Sequence, residues 1–387
     1  MSEARVSPRG ADRWRQGHPW IYRSDVLAGP DLPGIVTVRE QRGRVIGRAL
    51  WSPTSEIQLR LLDRRDVPID AGWWRERLLA SQARRAGIDA TAFRLVHAEG
   101  DLLPSLVVDC YDRWLVVQLL SAGLETMRET ILDALVEVAN PEGILLRNDV
   151  GVRRHEGLAE EVVEARGSVP RAIEVREGGV RFLAAPWDGQ KTGAFLDQRD
   201  TRVLAGGLVP PGGRALDCFA YHGSFALHLA GRAREVVALD VSGPALARGR
   251  ENAELNGLDN IAWLEADAFD QLRRWERERE RFDVVVVDPP AFAKSRSAVP
   301  AAIRGYREIN LRAMRLLAPG GTLLTASCSW HVNRALFLQA LAGAAADSGR
   351  NLRLERILTQ AADHPELMTV PETGYLKGAV LRAADPH

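Results

Sequence analysis

Three short segments carry residue types able to do chemistry together. Asp288-Pro289-Pro290-Ala291-Phe292 closes one apolar run, and Ser327-Cys328-Ser329 closes the next. Upstream, Asp217-Cys218-Phe219-Ala220-Tyr221-His222-Gly223 closes a third. Each run reads as a buried strand. In a parallel α/β sheet such strand ends meet at one edge, and that edge is where these sheets bind ligands. A carboxylate gate and a thiol beside a nucleotide-like cofactor loop point to methyl transfer onto a base.

The loop after Asp217 holds a single glycine, Gly223, just before a helix. A glycine there lets backbone approach a ligand closely. The loop has neither G-x-G-x-x-G nor a P-loop lysine, so it suits pyrophosphate poorly. An S-adenosyl group has no phosphates and needs less of a nest. Asp240 ends the next strand, about 20 residues on, where an acid can accept both ribose hydroxyls. Asp267 follows the third strand, where a carboxylate can meet an adenine amine. Each Asp taken alone reads first as a helix N-cap. Three acids at three successive strand ends are not explained by capping alone.

The chain that must position these groups has 387 residues, room for two or three domains. Its 51 basic and 51 acidic residues balance, which excludes bulk polycationic affinity for nucleic acid but not a local basic face. No apolar run is long enough for a membrane span, and no signal-peptide core opens the chain. The three cysteines, Cys110, Cys218 and Cys328, lie far apart without C-x-x-C spacing, and the histidines show no metal-ligand spacing. Neither a disulfide framework nor a metal is expected, and the setting expected is the reducing cytoplasm. Only three of the basic residues are lysine, Lys191, Lys294 and Lys377. An arginine-heavy chain that keeps so few lysines can need a compact ammonium at those places. For Lys377, at the start of a strand, the expectation is a solvated side chain.

Residues 1–70 read as a β-rich module, with strand-like runs at Ile35–Val38, Gly43–Leu50 and Ile57–Leu62. Arg5, Arg9, Arg13, Arg15 and Arg23 crowd its start, interleaved with Trp14, Trp20 and Tyr22. Cations among aromatics suit phosphate contact and base stacking. They also suit a solvated basic arm over a small aromatic core. Residues 72–185 alternate strands and helices without a catalytic constellation and read as a connecting α+β domain. From 186 to 387 the rhythm is strand, helix, strand, the mark of a parallel sheet. Five crossover strands and a terminal pair predict a seven-stranded, Rossmann-like sheet.

Several segments follow in order along the whole chain: Gly17-His18-Pro19-Trp20-Ile21-Tyr22, Gln190 to Arg199, the Asp217 loop, Glu251 to Leu258, Asp288-Pro289-Pro290 with Lys294, and Ser327-Cys328-Ser329. In this the chain resembles the class I S-adenosylmethionine-dependent methyltransferases. Within them it resembles the bacterial 23S rRNA cytosine-C5 methyltransferases that carry an N-terminal PUA domain. The resemblance implies a PUA-type RNA-binding domain at 1–70, a substrate domain at 72–185 and a methyltransferase domain at 186–387. It implies S-adenosylmethionine as cofactor, held by Gln198, Asp217, Phe219, Tyr221, Gly223, Ser224, Phe225, Asp240, Asp267, Ala268 and Asp288. It implies 23S rRNA or a large-subunit precursor as partner, met by Arg9, Arg13, Trp20, Pro289, Pro290, Phe292 and Lys294. A homodimer is one admissible assembly.

The implied chemistry is specific. Cytosine C5 is a poor nucleophile until a thiolate adds at C6 and turns the ring into an enamine. Cys328 is the expected nucleophile, with Asp288 as its catalytic partner at N3 and the exocyclic amine. A free thiol near pKa 8.5 is only a few per cent thiolate at neutral pH, so activation must help. Two-cysteine relatives carry a second cysteine for release where this chain has Pro289. Water, Lys294 and Asp288 are the remaining candidates for the base that removes the C5 proton. Asp-Pro-Pro also resembles the gate of amino-group methyltransferases, although here the aromatic stands one residue later, at Phe292. A guanine or adenine N-methyltransferase and a non-catalytic RNA-binding protein are the alternatives.

Overall fold

The computed structural model describes residues 2–384. They fall into two compact units. One is formed by the residues up to Val175 with Ala184–Leu196 and Ala362–Thr373. The other is formed by Arg176–Leu183, Asp197–Ala361 and the residues from Gly374 onward. The expected PUA-like and central segments both lie largely in the first. No helix among the described residues is long and apolar enough to cross a membrane.

The first unit holds a six-stranded and a five-stranded sheet. The expected strands at 35–38, 43–50 and 57–62 extend over Gly34–Glu40, Val45–Trp51 and Ile57–Asp63. The basic N-terminus is not an arm: Pro8–Arg15 is a helix, capped by the Ser7 hydroxyl. Its Trp14 is buried, and the indole N–H donates to Pro19 O at 3.0 Å. The five-stranded sheet carries the helices Ala71–Arg84 and Arg128–Ala139, whose Trp74, Leu78, Ile131 and Leu135 enter its core. Asp70 starts the first of these helices by accepting from Trp73 N at 3.0 Å.

In the second unit the seven-stranded sheet comprises Gly213–Cys218 (β1), Ala233–Asp240 (β2), Ile261–Glu265 (β3), Phe282–Val287 (β4), Leu317–Ser327 (β5), Leu352–Leu358 (β6) and Lys377–Ala383 (β7). Its order is β3-β2-β1-β4-β5-β7-β6, with β7 antiparallel to both of its neighbours. β4 reads Phe-Asp-Val-Val-Val-Val because both faces of a central parallel strand are covered. Val285 and Val287 enter one core with Leu216 and Cys218, while Val284 and Val286 enter the opposite core with Ala215. This two-residue alternation makes Cys218 a packing residue and sends Asp217 to the other face.

Hydropathy reveals the strand Val180–Ala184 but not its partner Ile173–Glu177 or the helix Arg199–Leu208. The helix buries Arg199 and Arg202, so its inward face is not apolar. Arg202 and Glu177 form a bidentate pair at 2.7 and 2.5 Å, with only 2% and 1% of their side chains exposed. His228 Nε2 joins Glu177 at 3.0 Å. Burial alone would raise the Glu177 carboxyl, but the Arg202 charge and hydrogen bonds outweigh it and hold the group at about 2. The resulting stabilisation is present above the ordinary value of 4.5 and is lost as pH falls from there toward 2. Glu177→Gln removes the bidentate carboxylate of a buried guanidinium. Urea unfolding at pH 7 should show a loss of about 3–5 kcal/mol, and a change under 1 kcal/mol would contradict this account.

Candidate active site

The strand order reverses between β1 and β4, and the functional side chains gather at the carboxyl ends of the strands there. Asp217, the penultimate residue of β1, is fully buried. Its Oδ2 accepts from Ala226 N at 2.9 Å, which ties β1 to the helix Ser224–Ala230. Its Oδ1 is buried with no hydrogen-bond partner. Burial pushes this carboxyl well above its ordinary value, and the nearby charges of Asp288 and Asp240 push the same way. Gln198, at the end of the turn Leu196–Gln198, is also buried, with both amide heteroatoms unpartnered.

The loop from Phe219 to Gly223 is held in a costly shape. Phe219, Tyr221 and Gly223 take φ of +66°, +50° and +81°. Asp240 braces the loop: Oδ2 accepts from Tyr221 N and Oδ1 from Ser242 N, both at 2.8 Å. The capping reading of Asp240 therefore fails, since Ser242 caps the following helix. For Asp267 it holds, because Oδ1 accepts from Asp270 N at 3.1 Å. Ala268 and Phe225 are buried beside these ends, and Ser224 is half-buried. Trp263 of β3 explains two glycines that sequence reasoning did not connect. A Cβ on Gly223 or Gly249 would sit 2.4 or 2.3 Å from its ring.

β4 and β5 bring the other two segments together. Val287 pairs with Thr325, so Asp288 and Ser327-Cys328-Ser329 leave adjacent strands side by side. Cys328 Sγ lies 4.0 Å from Pro289 O. Tyr306 OH bonds the hydroxyls of both Ser327 and Ser329 at 2.8 Å, and Ser329 Oγ also accepts from Ala293 N at 3.1 Å. The serine on each side of the cysteine was the available signal for this clamp. Asp288 and Cys328 are half-buried, Pro289 is buried, and Pro290 and Lys294 are exposed.

Phe292 is half-buried just past the gate, its ring packed on Tyr306 at 4.7 Å and Phe269 at 6.0 Å. One expectation needs correction. Lys377 is not solvated. It is buried, and its Nζ donates to Ser329 O at 2.5 Å and Tyr375 O at 2.9 Å. Desolvation lowers it to about 8. The other two thiols are built for packing. Burial drives Cys218 well above the ordinary thiol range, and burial with Asp112 and Asp109 drives Cys110 up to about 12.

In the first unit, Arg9, Arg13 and Trp20 all have structural partners. Arg9 pairs with buried Asp25 at 2.7 Å, Arg13 lies 4.8 Å over the Tyr22 ring, and Trp20 Nε1 donates to Glu99 at 2.9 Å. The side chain of Arg9 is still 71% exposed, enough to meet a second partner. Among the described residues no cluster of His, Cys, Asp or Glu is arranged to hold a metal ion.

Orphaned buried acceptors and a carboxyl raised by burial, with two acids nearby, call for a ligand with N–H donors and positive charge. A family model described as S-adenosylmethionine-dependent methyltransferase matches residues 130–379. The chain belongs to that family. A PUA-like domain model matches residues 4–64 of this methyltransferase. Ribosomal RNA large subunit methyltransferase I of Vibrio cholerae is 40% identical over 392 residues, 98% of each chain. Its counterpart in Aeromonas hydrophila is 42% identical over 380 residues, 95% of each. A Streptococcus mutans structure described as a SAM-dependent methyltransferase superposes with TM-score 0.81 at 19% identity, over 99% of this chain and all of the other. A methyltransferase crystallised with S-adenosylhomocysteine gives 0.84 at 19% identity with the same coverage. These two establish the fold.

S-adenosylmethionine is the cofactor, and its sulfonium and ammonium charges match the acid-rich pocket. Gly223→Ala forces a Cβ into the Trp263 ring at positive φ. The affinity for S-adenosylmethionine should fall about 5- to 150-fold by calorimetry, in line with about 1–3 kcal/mol of strain. An unchanged Kd would contradict the loop's role.

Proposed function

We propose that the protein forms 5-methylcytosine in large-subunit ribosomal RNA, with Cys328 as nucleophile and Asp288 as its partner. The observation that carries this reading is the placement of the Cys328 thiol 4.0 Å from Pro289 O, directly beside the Asp-Pro-Pro gate. The names of the near-full-length relatives supply the RNA. A nitrogen acceptor would leave the clamped thiol without a role.

In this reading Asp217 Oδ1 takes the cofactor's methionine ammonium and Asp240 its ribose hydroxyls. Asp267 and Ala268 border the adenine, and Gln198 supplies an amide to the polar end. Phe219, Tyr221, Ser224 and Phe225 shape the loop between them. The cofactor supplies an electrophilic methyl group. Cys328 adds to C6 of the base, which makes C5 nucleophilic toward that methyl. Asp288 holds N3 and the exocyclic amine, so charge gathering in the ring meets a fixed partner. Loss of the C5 proton then expels Cys328 and restores the aromatic ring.

Pro289 and Pro290 narrow the gate, and exposed Lys294 lies in the loop beyond it, where a phosphate can meet it. In the first unit, the exposed Arg9 with Arg13 and Trp20 offers cationic and aromatic contacts for RNA. A cavity of about 380 Å³ there is lined by Arg64, Arg65 and Arg77 together with Asp63 and Glu99.

Cys328→Ser should lower 5-methylcytidine formation at least ~10³-fold, read by nuclease digestion and mass spectrometry, while S-adenosylmethionine binding stays intact. Methylation that survives undiminished would sink the thiol mechanism.

A further inference from the structure

Lys377 is one of three lysines in a chain otherwise basic through arginine. It opens β7 directly opposite Ser327 in the antiparallel pairing with β5. From there the side chain crosses to the carbonyl of Ser329, so it spans the position of Cys328. Its second partner is the carbonyl of Tyr375. Both partners are neutral, and among the described residues no carboxylate pairs with it. Burying an ammonium on these terms is expensive. Arg334, on the helix Arg334–Ser348, makes it more so, and the one favourable charge acting on Lys377 is that of Cys328.

Resting on the reading of Cys328 as nucleophile, we propose that Lys377 is its positioning residue: an ammonium fixed by two main-chain carbonyls that serves as counter-charge to the Cys328 thiolate. An ammonium has three donors, and two are taken by Ser329 and Tyr375, which leaves one for the sulfur. A planar guanidinium with five donors would need more acceptors than this corner provides. Cys328 is faced by Lys377 from β7 and by the Tyr306 hydroxyl from the helix Val299–Arg315. The hydroxyl is occupied with Ser327 and Ser329. This assigns the activation that a free thiol lacks at neutral pH.

The test is alkylation of Cys328 by iodoacetamide across pH in the full-length protein without RNA, followed peptide by peptide by mass spectrometry. In the wild type the midpoint should fall about one unit below the ordinary thiol value of ~8.5. Lys377→Met should raise the midpoint by about one unit and slow alkylation at pH 7 about 10-fold. It should lower kcat by a similar factor and leave KM for RNA nearly unchanged. Lys377→Arg, which keeps the charge, should recover part of both losses.

A wild-type midpoint at or above ~8.5 would overturn the proposal even if Lys377→Met fails to fold. So would an unshifted midpoint in a folded Lys377→Met. Normal alkylation with accumulation of a covalent enzyme–RNA adduct would place Lys377 in proton removal instead, and would equally overturn it. The alkylation reads only the thiol, so its failure leaves the Cys328→Ser result standing as the separate test of the nucleophile.

Discussion

The pairing of β4 with β5 is the constraint on which the site depends. Val287, the last residue of β4, stands against Thr325, two residues before the end of β5. Asp288 and the Ser327–Ser329 segment emerge next to one another only in that register. The register is enforced from both faces, because Val285 and Val287 fill one core while Val284 and Val286 fill the other. A slip of one residue would exchange the two sets and turn the polar strand ends away from each other. β7 then completes the edge by placing Lys377 across from Ser327. The hydrophobic effect thus fixes positions, and hydrogen bonds and charge refine them.

Charge at this edge is arranged to be incomplete. Asp217 is buried beside the fields of Asp240 and Asp288 and is pushed toward its neutral form. The neighbouring Arg202 is held by Glu177, so its charge is largely committed. A cationic ligand offsets the remaining acidity, whereas a phosphate-bearing one would add to it. The same logic distinguishes the thiols. Cys110 and Cys218 are surrounded by apolar neighbours or acids, while Cys328 lies beside an ammonium.

Much of this was legible in the sequence, because apolar runs ending in Asp, Cys or Ser are what buried parallel strands look like when their tips are functional. The seven-stranded sheet, with five parallel crossover strands and a terminal pair, follows the strand-helix-strand rhythm of residues 186–387. What hydropathy hid were buried charges. Arg202 and Glu177 satisfy each other, and nothing in a linear pattern tells a paired buried arginine from an exposed one. Lys377 was misread for the same reason, since a lysine opening a strand is ordinarily solvated and only the β5–β7 pairing shows what covers it. The tie between Gly223, Gly249 and Trp263 joins three distant segments and needed coordinates.

The central claim is covalent attack by Cys328 on a cytosine. The most direct measurement is incubation with S-adenosylmethionine and a ribosomal RNA fragment carrying 5-fluorocytidine. Fluorine at C5 cannot leave as a proton does, so methyl transfer stalls before release. The account predicts a stable enzyme–RNA adduct on the peptide that contains Cys328. An adduct on another residue, or turnover of the fluorinated RNA with the methyl group on an exocyclic nitrogen, would contradict it.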